Sequence, residues 1–267
     1  MATPVLTEEN YYSGEANRQY MSVSSFKNFQ KCEAAALAEL NGEYVPERGR
    51  ALLLGSYVDE ALTGTEESQN TFVEENRAEL FKKNGEPYAD VVQANEAIRR
   101  VKEQPLMMKY LNGGHQVIMT GEIEGVPVKG KFDSYKPGEF IADLKYLKDF
   151  RSPNFFENAI SYYQYDMQMA VYREIVRQNG GGELPCYLVI VTKQDPPDVA
   201  VAEINEFDLD MALARFKASV KRFQDITDGR VQPERCEAHD CPYCRATKVL
   251  TEPIDSSLLG RSKKALE

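Results

Sequence analysis

Histidine is scarce in this sequence, which contains only His115 and His239, and no nucleophile-elbow segment occurs. A serine or cysteine hydrolase is difficult to build from so few bases, because its nucleophile needs a base within hydrogen-bonding distance. The sequence also lacks a phosphate-binding P-loop and a Gly-x-Gly-x-x-Gly segment. These absences argue against such hydrolases and leave no nucleotide-hydrolysing motor in the chain.

The sequence also has fewer basic than acidic residues. The 32 Lys and Arg residues stand against 42 Asp and Glu residues, which gives a formal net charge of -10. Attraction of a whole protein to nucleic acid scales with its basic charge, so the balance argues against nonspecific coating of DNA. It does not argue against a cleft that carries its own local Lys and Arg residues.

Long apolar runs are absent, and the first residues have neither the basic nor the apolar region of a secretion signal. We therefore expect a soluble, cytoplasmic protein with no membrane partner. The five cysteines would be kept reduced in that compartment, so their clustering favours metal ligation over disulfides.

The hydrophobic pattern predicts one α/β domain over residues 1–267, because 42% hydrophobic content suffices for one substantial core. Its parts are a helical region over 22–112, a core over 113–228 and a cysteine-rich tail segment over 230–250. The core order is α-β-β-β-α-β, followed by a further strand and helix. Periodicity and turn residues predict helices at 22–41, 48–62, 66–83, 90–111 (bent or split at Pro105), 153–179 and 208–227, and strands at 115–123, 126–135, 140–147, 185–193 and 198–204.

Acidic residues on two arms of a predicted hairpin carry the most informative chemistry. Asp133 lies on the first arm, and Asp143, Leu144 and Lys145 lie on the second. Two convergent carboxylates can hold Mg2+ or Mn2+, and an ammonium two residues beyond the second lies on the same side of its strand. This set suits phosphodiester hydrolysis, in which the lysine stabilises the attacking hydroxide or the developing negative charge.

Surface hairpins also carry such charges routinely, and a solvated face is the alternative interpretation. The apolar residues that alternate with Asp143 and Lys145 favour a strand whose polar face lines a cleft. The two carboxylates share a face only if the hairpin pairs them with an even sum of residue numbers, and the sequence does not fix this register.

Further polar residues could complete the site. Gln164, Gln168 and Tyr172 recur every four residues and predict one stripe along the helix at 153–179. Asp59 and Glu60 follow Gly55 on an earlier predicted helix, and either could supply another metal ligand, although a solvated helix surface explains them almost as well.

The residues Asp133, Ile141 to Lys145 and Gln168-x-x-x-Tyr172 resemble the PD-(D/E)XK nuclease superfamily. Within it they are most similar to RecB-like and RecE-like phage exonucleases, related to exodeoxyribonuclease VIII and more remotely to lambda exonuclease. The resemblance implies a restriction-endonuclease-like core with a central mixed sheet flanked by helices. It also implies a double-strand DNA exonuclease that resects linear ends, 5' to 3', for recombination with a single-strand annealing protein.

The resemblance assigns roles by position. It makes Asp133 and Asp143 metal ligands, with the Leu144 carbonyl as an additional ligand and Lys145 as the catalytic lysine. Gln168 and Tyr172 become supporting residues of the catalytic set. Asp59 occupies a slot in which many relatives carry a histidine, and a carboxylate suits Mg2+ or Mn2+ at least as well. A ring-shaped homo-oligomer, in the host cell cytoplasm if a phage encodes the protein, is a further implication.

Three of the cysteines, Cys236, Cys241 and Cys244, lie within nine residues of the tail. A resemblance to the iron-sulfur branch of these nucleases adds Cys32 and implies a 4Fe-4S cluster that joins the tail to the N-terminal helix. A local zinc site made by the three tail cysteines and His239 is the alternative, with Cys32 a buried thiol. We expect Cys186 to be a buried strand residue.

Two other functions remain open at this stage. One is a noncatalytic DNA-binding or scaffold protein, which we would expect to lack one of Asp133, Asp143 and Lys145. The other is an endonuclease or CRISPR-adaptation nuclease, which would also attack a closed circle of DNA.

Overall fold

The structure is a computed structural model, and it describes residues 5–47, 49–151, 158–237, 240–251, 253 and 256. Within these residues no helix is both long enough and apolar enough to cross a membrane. The helices are α1 (Gly14–Gln19), α2 (Val23–Lys31), α3 (Glu33–Leu40), α4 (Arg50–Thr63), α5 (Glu66–Glu75), α6 (Arg77–Leu80), α7 (Ala89–Lys102), α8 (Pro105–Tyr110), α9 (Ala159–Tyr162), α10 (Tyr165–Gln178), α11 (Glu206–Thr227) and α12 (Pro242–Ala246). The strands are β1 (Val117–Ile123), β2 (Val126–Phe132), β3 (Ser134–Lys136), β4 (Phe140–Leu147), β5 (Cys186–Thr192) and β6 (Val199–Ile204).

The central sheet is mixed and has the strand order β3-β4-β5-β6. Strand β4 pairs antiparallel with β3 and parallel with β5, and β6 pairs antiparallel with β5. Strands β1 and β2 form a separate antiparallel hairpin. The mixed sheet flanked by helices confirms the predicted fold class.

Helices cover both faces of the sheet, because successive residues of its central strands point in opposite directions. One apolar cluster joins Ile141 of β4 and Leu188 of β5 to α10 and α11. The other joins Leu144 and Val189 to α4, α7 and α8. Asp143 and Lys145 lie on the same face of β4 as Ile141, so both point towards the side covered by α10.

Four predicted elements are interrupted. The predicted helix 66–83 divides at Asn76 into α5 and α6 and ends at Leu80. The predicted helix 22–41 breaks at Cys32, whose backbone is extended with φ -166° and ψ 106°. The predicted strand 126–135 divides at Asp133, because β2 pairs with β1 whereas β3 pairs with β4. The predicted helix 153–179 breaks at Gln164, which adopts a left-handed conformation with φ 55°; residues 152–157 lie outside the described part.

Proline and local capping explain three further helix boundaries. Pro105 occupies the first turn of α8 and separates it from α7, as predicted. Helices α1 and α12 were not predicted, since six and five residues are too short for a periodic pattern. Each begins at a side-chain cap, where Ser13 accepts from the Ala16 N–H and Cys241 accepts from the Cys244 N–H.

Candidate active site and cysteine cluster

The hairpin of β3 and β4 places the two acidic residues opposite each other. Ser134 pairs with Ala142 and Lys136 pairs with Phe140. Continuing this register by one residue sets Asp133 opposite Asp143, so the two carboxylates share one face of the hairpin.

Asp143 is at the centre of a hydrogen-bonded group. Its side chain is 1% exposed, and its Oδ2 atom forms an ion pair with the Lys145 ammonium. The Gln168 amide connects the two residues, because its Nε2 donates to Asp143 Oδ1 at 2.7 Å and its Oε1 accepts from Lys145 Nζ at 3.2 Å. Helix α10 therefore holds the carboxylate and the ammonium in fixed positions.

Asp133 is fixed by the neighbouring strand. Its Oδ2 accepts a hydrogen bond from the Leu144 N–H at 2.9 Å. The Ile141 N–H and the Leu147 carbonyl form hydrogen bonds on the β5 side of β4. Because successive residues of a strand direct their backbone groups to opposite edges, the N–H and carbonyl of Leu144 point away from β5. The Leu144 carbonyl is accordingly directed to the same edge as Asp133, as its predicted role as a ligand requires.

Helix α4 contributes Asp59. Its Oδ1 accepts from the Thr63 hydroxyl at 3.0 Å and its Oδ2 accepts from the Gln116 amide at 3.3 Å. Glu60 instead accepts from Ser68 at 2.8 Å. Asp59 is also the member of this pair whose charge acts on Asp133. Its contact with Gln116 depends on the tertiary fold and could not be predicted from the sequence.

The carboxyl groups of Asp133 and Asp59 both have raised pKa values. Burial, together with the charges of Asp143 and Asp59, raises the pKa of Asp133 well above its usual value. Burial also raises the pKa of Asp59, with a smaller contribution from the charge of Asp143. Burial alone would lower the pKa of Lys145, but the charges of Asp143 and Asp133 outweigh it and raise that pKa.

This donor set fits a hard divalent cation. The side chains of Asp59, Asp133 and Asp143 and the Leu144 carbonyl all offer oxygen, which Mg2+ and Mn2+ prefer. Asp143 Oδ2 is buried and contacts the ammonium, but it makes no directed hydrogen bond within the described residues. A cation here would also offset the repulsion that contributes to the raised pKa values of Asp133 and Asp59.

Tyr172 supports the site from the second turn of α10. Its hydroxyl donates to the Lys131 carbonyl at 2.9 Å and accepts from Gln168 Nε2 at 3.3 Å. Its ring lies against Gly130, where a Cβ would come within 2.9 Å of it. The predicted stripe is wrong in one member, since Gln164 is left-handed and precedes the helix, so its side chain does not continue the row of Gln168 and Tyr172.

Lys27 is a site residue that sequence analysis did not find, because it lies on α2 and far from the hairpin in the chain. Its Nζ donates to the Tyr163 carbonyl at 2.9 Å. Burial, with the charge of Lys145 as a further cause, lowers the pKa of Lys27 to about 8. The two ammonium groups lie over the same ring, that of Tyr165, at 5.5 Å for Lys27 and 4.9 Å for Lys145.

Four cysteines form a second cluster. Their sulfur atoms all lie within 4.8 Å of one another, so the four residues could hold one metal ion. The Cys32 and Cys236 sulfurs lie 3.6 and 3.7 Å from the Cys244 sulfur, far beyond a disulfide bond length. Cys241 completes the set and accepts from the Cys244 N–H at 3.4 Å.

The thiols differ in their surroundings. The backbone N–H of Cys241 is the first cause that lowers the pKa of Cys236, to about 7. Burial raises the pKa values of Cys241 and Cys244. A metal ion would hold all four as thiolates.

Two expectations about single cysteines now have outcomes. Cys32 lies beside the three tail cysteines, as the resemblance implied. The alternative that uses His239 stays a prediction, because His239 lies outside the described residues. Cys186 is buried in β5 as expected, and burial raises its pKa to about 12.

Comparisons with known proteins agree with this fold. Residues 22–247 match the family model described as a PDDEXK-like domain of unknown function (DUF3799). The chain is similar to a crystal structure described as a "Putative exonuclease" from Eubacterium rectale, with 39% identity and a TM-score of 0.89 over 97% of this chain and 100% of that one. A comparison with curated proteins found no match.

Proposed function

Because the chain belongs to the PDDEXK-like domain family, we propose that it is a metal-dependent deoxyribonuclease that degrades linear double-stranded DNA from its ends. The observation that carries the proposal is the contact of the Lys145 ammonium with Asp143, opposite Asp133 in the same hairpin. The exonuclease description of the similar Eubacterium rectale protein supports action at DNA ends.

Asp133, Asp143, Asp59 and the Leu144 carbonyl would hold the cation. When bound, Mg2+ or Mn2+ polarises the phosphate and makes water a stronger nucleophile. Burial opposes the charged form of Lys145, but the charges of Asp143 and Asp133 raise its pKa overall, which favours an ammonium that stabilises negative charge on the attacked phosphate. Gln168 forms hydrogen bonds with both Lys145 and Asp143 and so fixes their relative positions. Tyr172 in turn holds Gln168 against β2.

The biological setting is part of the proposal. We propose 5' to 3' resection in phage-type recombination, in the host cytoplasm, with a single-strand annealing protein as partner and a ring-shaped homo-oligomer as the working form. The Gln168-x-x-x-Tyr172 motif and its contacts with Asp143 and the Lys131 carbonyl support the exonuclease branch from which these expectations come.

The cysteine cluster would hold a structural metal. A single zinc ion with four sulfurs at about 2.3 Å in a tetrahedron places neighbouring sulfurs about 3.8 Å apart, close to the 3.6 and 3.7 Å found. In a 4Fe-4S cluster each thiolate binds a different iron at a corner of a cube, which requires wider spacing. The geometry therefore supports zinc over iron-sulfur.

Replacement of Asp143 tests the proposed activity. We expect Asp143→Asn to reduce Mg2+- or Mn2+-dependent degradation of end-labelled linear duplex by about 100-fold or more, as removal of a group that stabilises the transition state does. Asp195→Asn, at an exposed carboxylate after β5, is the matched control. Circular dichroism would verify that both variants fold, and undiminished turnover in a folded Asp143→Asn would refute the site.

A further inference from the structure

Three tyrosines beside the active site form a continuous aromatic surface. Tyr162 and Tyr163 are 41% and 39% exposed. Their rings meet edge to face at 5.0 Å, and the Tyr163 ring lies 5.7 Å from that of Tyr165. Since Lys145 Nζ lies 4.9 Å from the Tyr165 ring centre, the surface begins at the proposed catalytic lysine and extends outwards.

Backbone contacts fix this surface. Helix α9 ends at Tyr162, and the left-handed Gln164 donates its N–H to the Ser161 carbonyl at 3.0 Å. Lys27 Nζ donates to the Tyr163 carbonyl at 2.9 Å from the other side. The tyrosines are therefore presented on a formed turn, which reduces the entropy lost when a ligand binds.

The chemistry of the surface matches unpaired nucleotides. Exposed aromatic faces stack on bases, and a base offers its faces fully only when it is unpaired. Lys27 and Lys145 place two positive charges beside the rings, which complements phosphate. A protein partner would need a broader apolar patch than three tyrosines with polar hydroxyl groups and adjacent lysines provide.

We propose that Tyr162 and Tyr163 stack on unpaired bases of the DNA strand being cut, and that Lys27 binds a phosphate next to the scissile one. The inference rests on the proposed nuclease function. It adds that the DNA bound at the active site is single-stranded. The duplex end must then open before its strand reaches Asp143 and Lys145.

Fluorescence of 2-aminopurine tests the stacking directly. A single-stranded 16-mer with 2-aminopurine near one end, and a second probe with it near the other end, would be titrated with protein in EDTA to prevent cleavage. We expect quenching with the wild-type protein. Tyr162→Ala and Tyr163→Ala should each weaken binding about tenfold, and the double variant about 100-fold with loss of quenching.

Matched variants make the result specific. Tyr162→Phe and Tyr163→Phe should keep both quenching and affinity, because the rings remain. Tyr88→Ala is the control, since Tyr88 has the same 39% exposure as Tyr163 and its contacts are with α4, Leu80 and α7. Wild-type affinity and quenching in the double alanine variant would overturn the proposal.

Salt dependence tests the phosphate contact. Lys27→Gln should reduce the slope of log Kd against log salt concentration by about 0.7, the value for one phosphate contact on a single strand, and Lys27→Arg should restore it. An unchanged slope in Lys27→Gln would show that Lys27 does not bind a phosphate.

Cleavage measured on the same samples separates the two proposals. If Mn2+-dependent degradation requires Asp143 while the tyrosine variants bind and cut as the wild type does, only the stacking inference fails. If the wild-type protein neither cuts linear DNA nor binds the probes, the nuclease function and this inference fail together.

Discussion

At the scale of single residues, Asp133 occupies an electrostatically unfavourable position. It lies where the strand changes partner, and burial with the charges of Asp143 and Asp59 raises its pKa well above the usual value. The folded, metal-free protein therefore binds a proton at Asp133 more tightly than the unfolded chain does. Such stored repulsion is typical of functional sites.

The sign of the resulting pH dependence follows from linkage. The unfolded carboxyl titrates near about 3.9. Between that value and the raised pKa, the folded state holds more protons, so the contribution of Asp133 to the free energy of unfolding decreases as pH rises. Removing the ionisable group should therefore stabilise the metal-free protein, increasingly so towards higher pH.

We accordingly expect Asp133→Asn to melt at a higher temperature than the wild type in EDTA. Each kcal/mol gained corresponds to a rise of about 2–4 °C for a protein of this size. Added Mg2+ or Mn2+ should stabilise the wild type but not the variant, because a ligand carboxylate is lost. Melting curves from pH 5 to 8, with Asp195→Asn as control, would check this; a variant less stable than the wild type throughout would contradict it.

At the scale of elements, the sequence predicted most of the helices and strands, and two of the four interruptions lie at the proposed ligand residues Cys32 and Asp133. Cys32, Asp133 and Gln164 each interrupt a regular pattern that hydrophobic periodicity extends across them. Periodicity reports which face is buried, whereas these breaks result from tertiary contacts made by distant segments. This is why the sequence could suggest Cys32 and Asp133 as ligands but not the change in backbone at either.

The break at Cys32 has a structural consequence. It ends α2, starts α3 and brings the thiol within 3.6 Å of Cys244 in the tail. The Ala34 N–H donates to the Glu234 carbonyl at 2.9 Å, which ties the same two segments together. A metal ion here would crosslink residues more than 200 positions apart.

We expect the purified protein to contain one zinc per chain and no acid-labile sulfide. Cys32→Ser should lose the metal and lower the melting temperature, because the link between tail and helix is broken. Cys186→Ala is the matched control and should keep its zinc, although it leaves a small cavity in the core. Elemental analysis of anaerobically purified protein is the measurement.

The alternative outcomes are informative. Four irons and four sulfides per chain would show that the same thiols hold a 4Fe-4S cluster and not zinc. A well-folded wild-type protein that contains no metal and melts at the same temperature as Cys32→Ser would contradict the proposed metal site.

At the scale of the whole molecule, the sequence predicted the family and fold class from the hairpin and helix motifs. It could not predict how separate segments surround the site. Lys27 reaches it from α2, and Lys129, only 1% exposed, donates to Asn17 at 2.7 Å and so attaches α1 to β2. These contacts depend on the assembled fold, because no local pattern marks a lysine for burial.

Whole-molecule charge also constrains how the protein stays on DNA. A net charge of -10 disfavours retention by nonspecific attraction, and the sequence has no nucleotide-hydrolysing motif to drive movement. We propose that a ring-shaped homo-oligomer encloses the DNA and so allows one bound protein to cut repeatedly. The free energy of phosphodiester hydrolysis would bias movement along the strand.

Two measurements test this together. Native mass spectrometry should give a multiple of the 30.2 kDa chain mass. Degradation of labelled linear DNA should then continue after excess unlabelled DNA is added, because an enclosing protein does not exchange. A monomer whose cutting stops at once on addition of this trap would contradict enclosure. A covalently closed circle should remain intact, since it offers no end to thread, and its cleavage would identify an endonuclease.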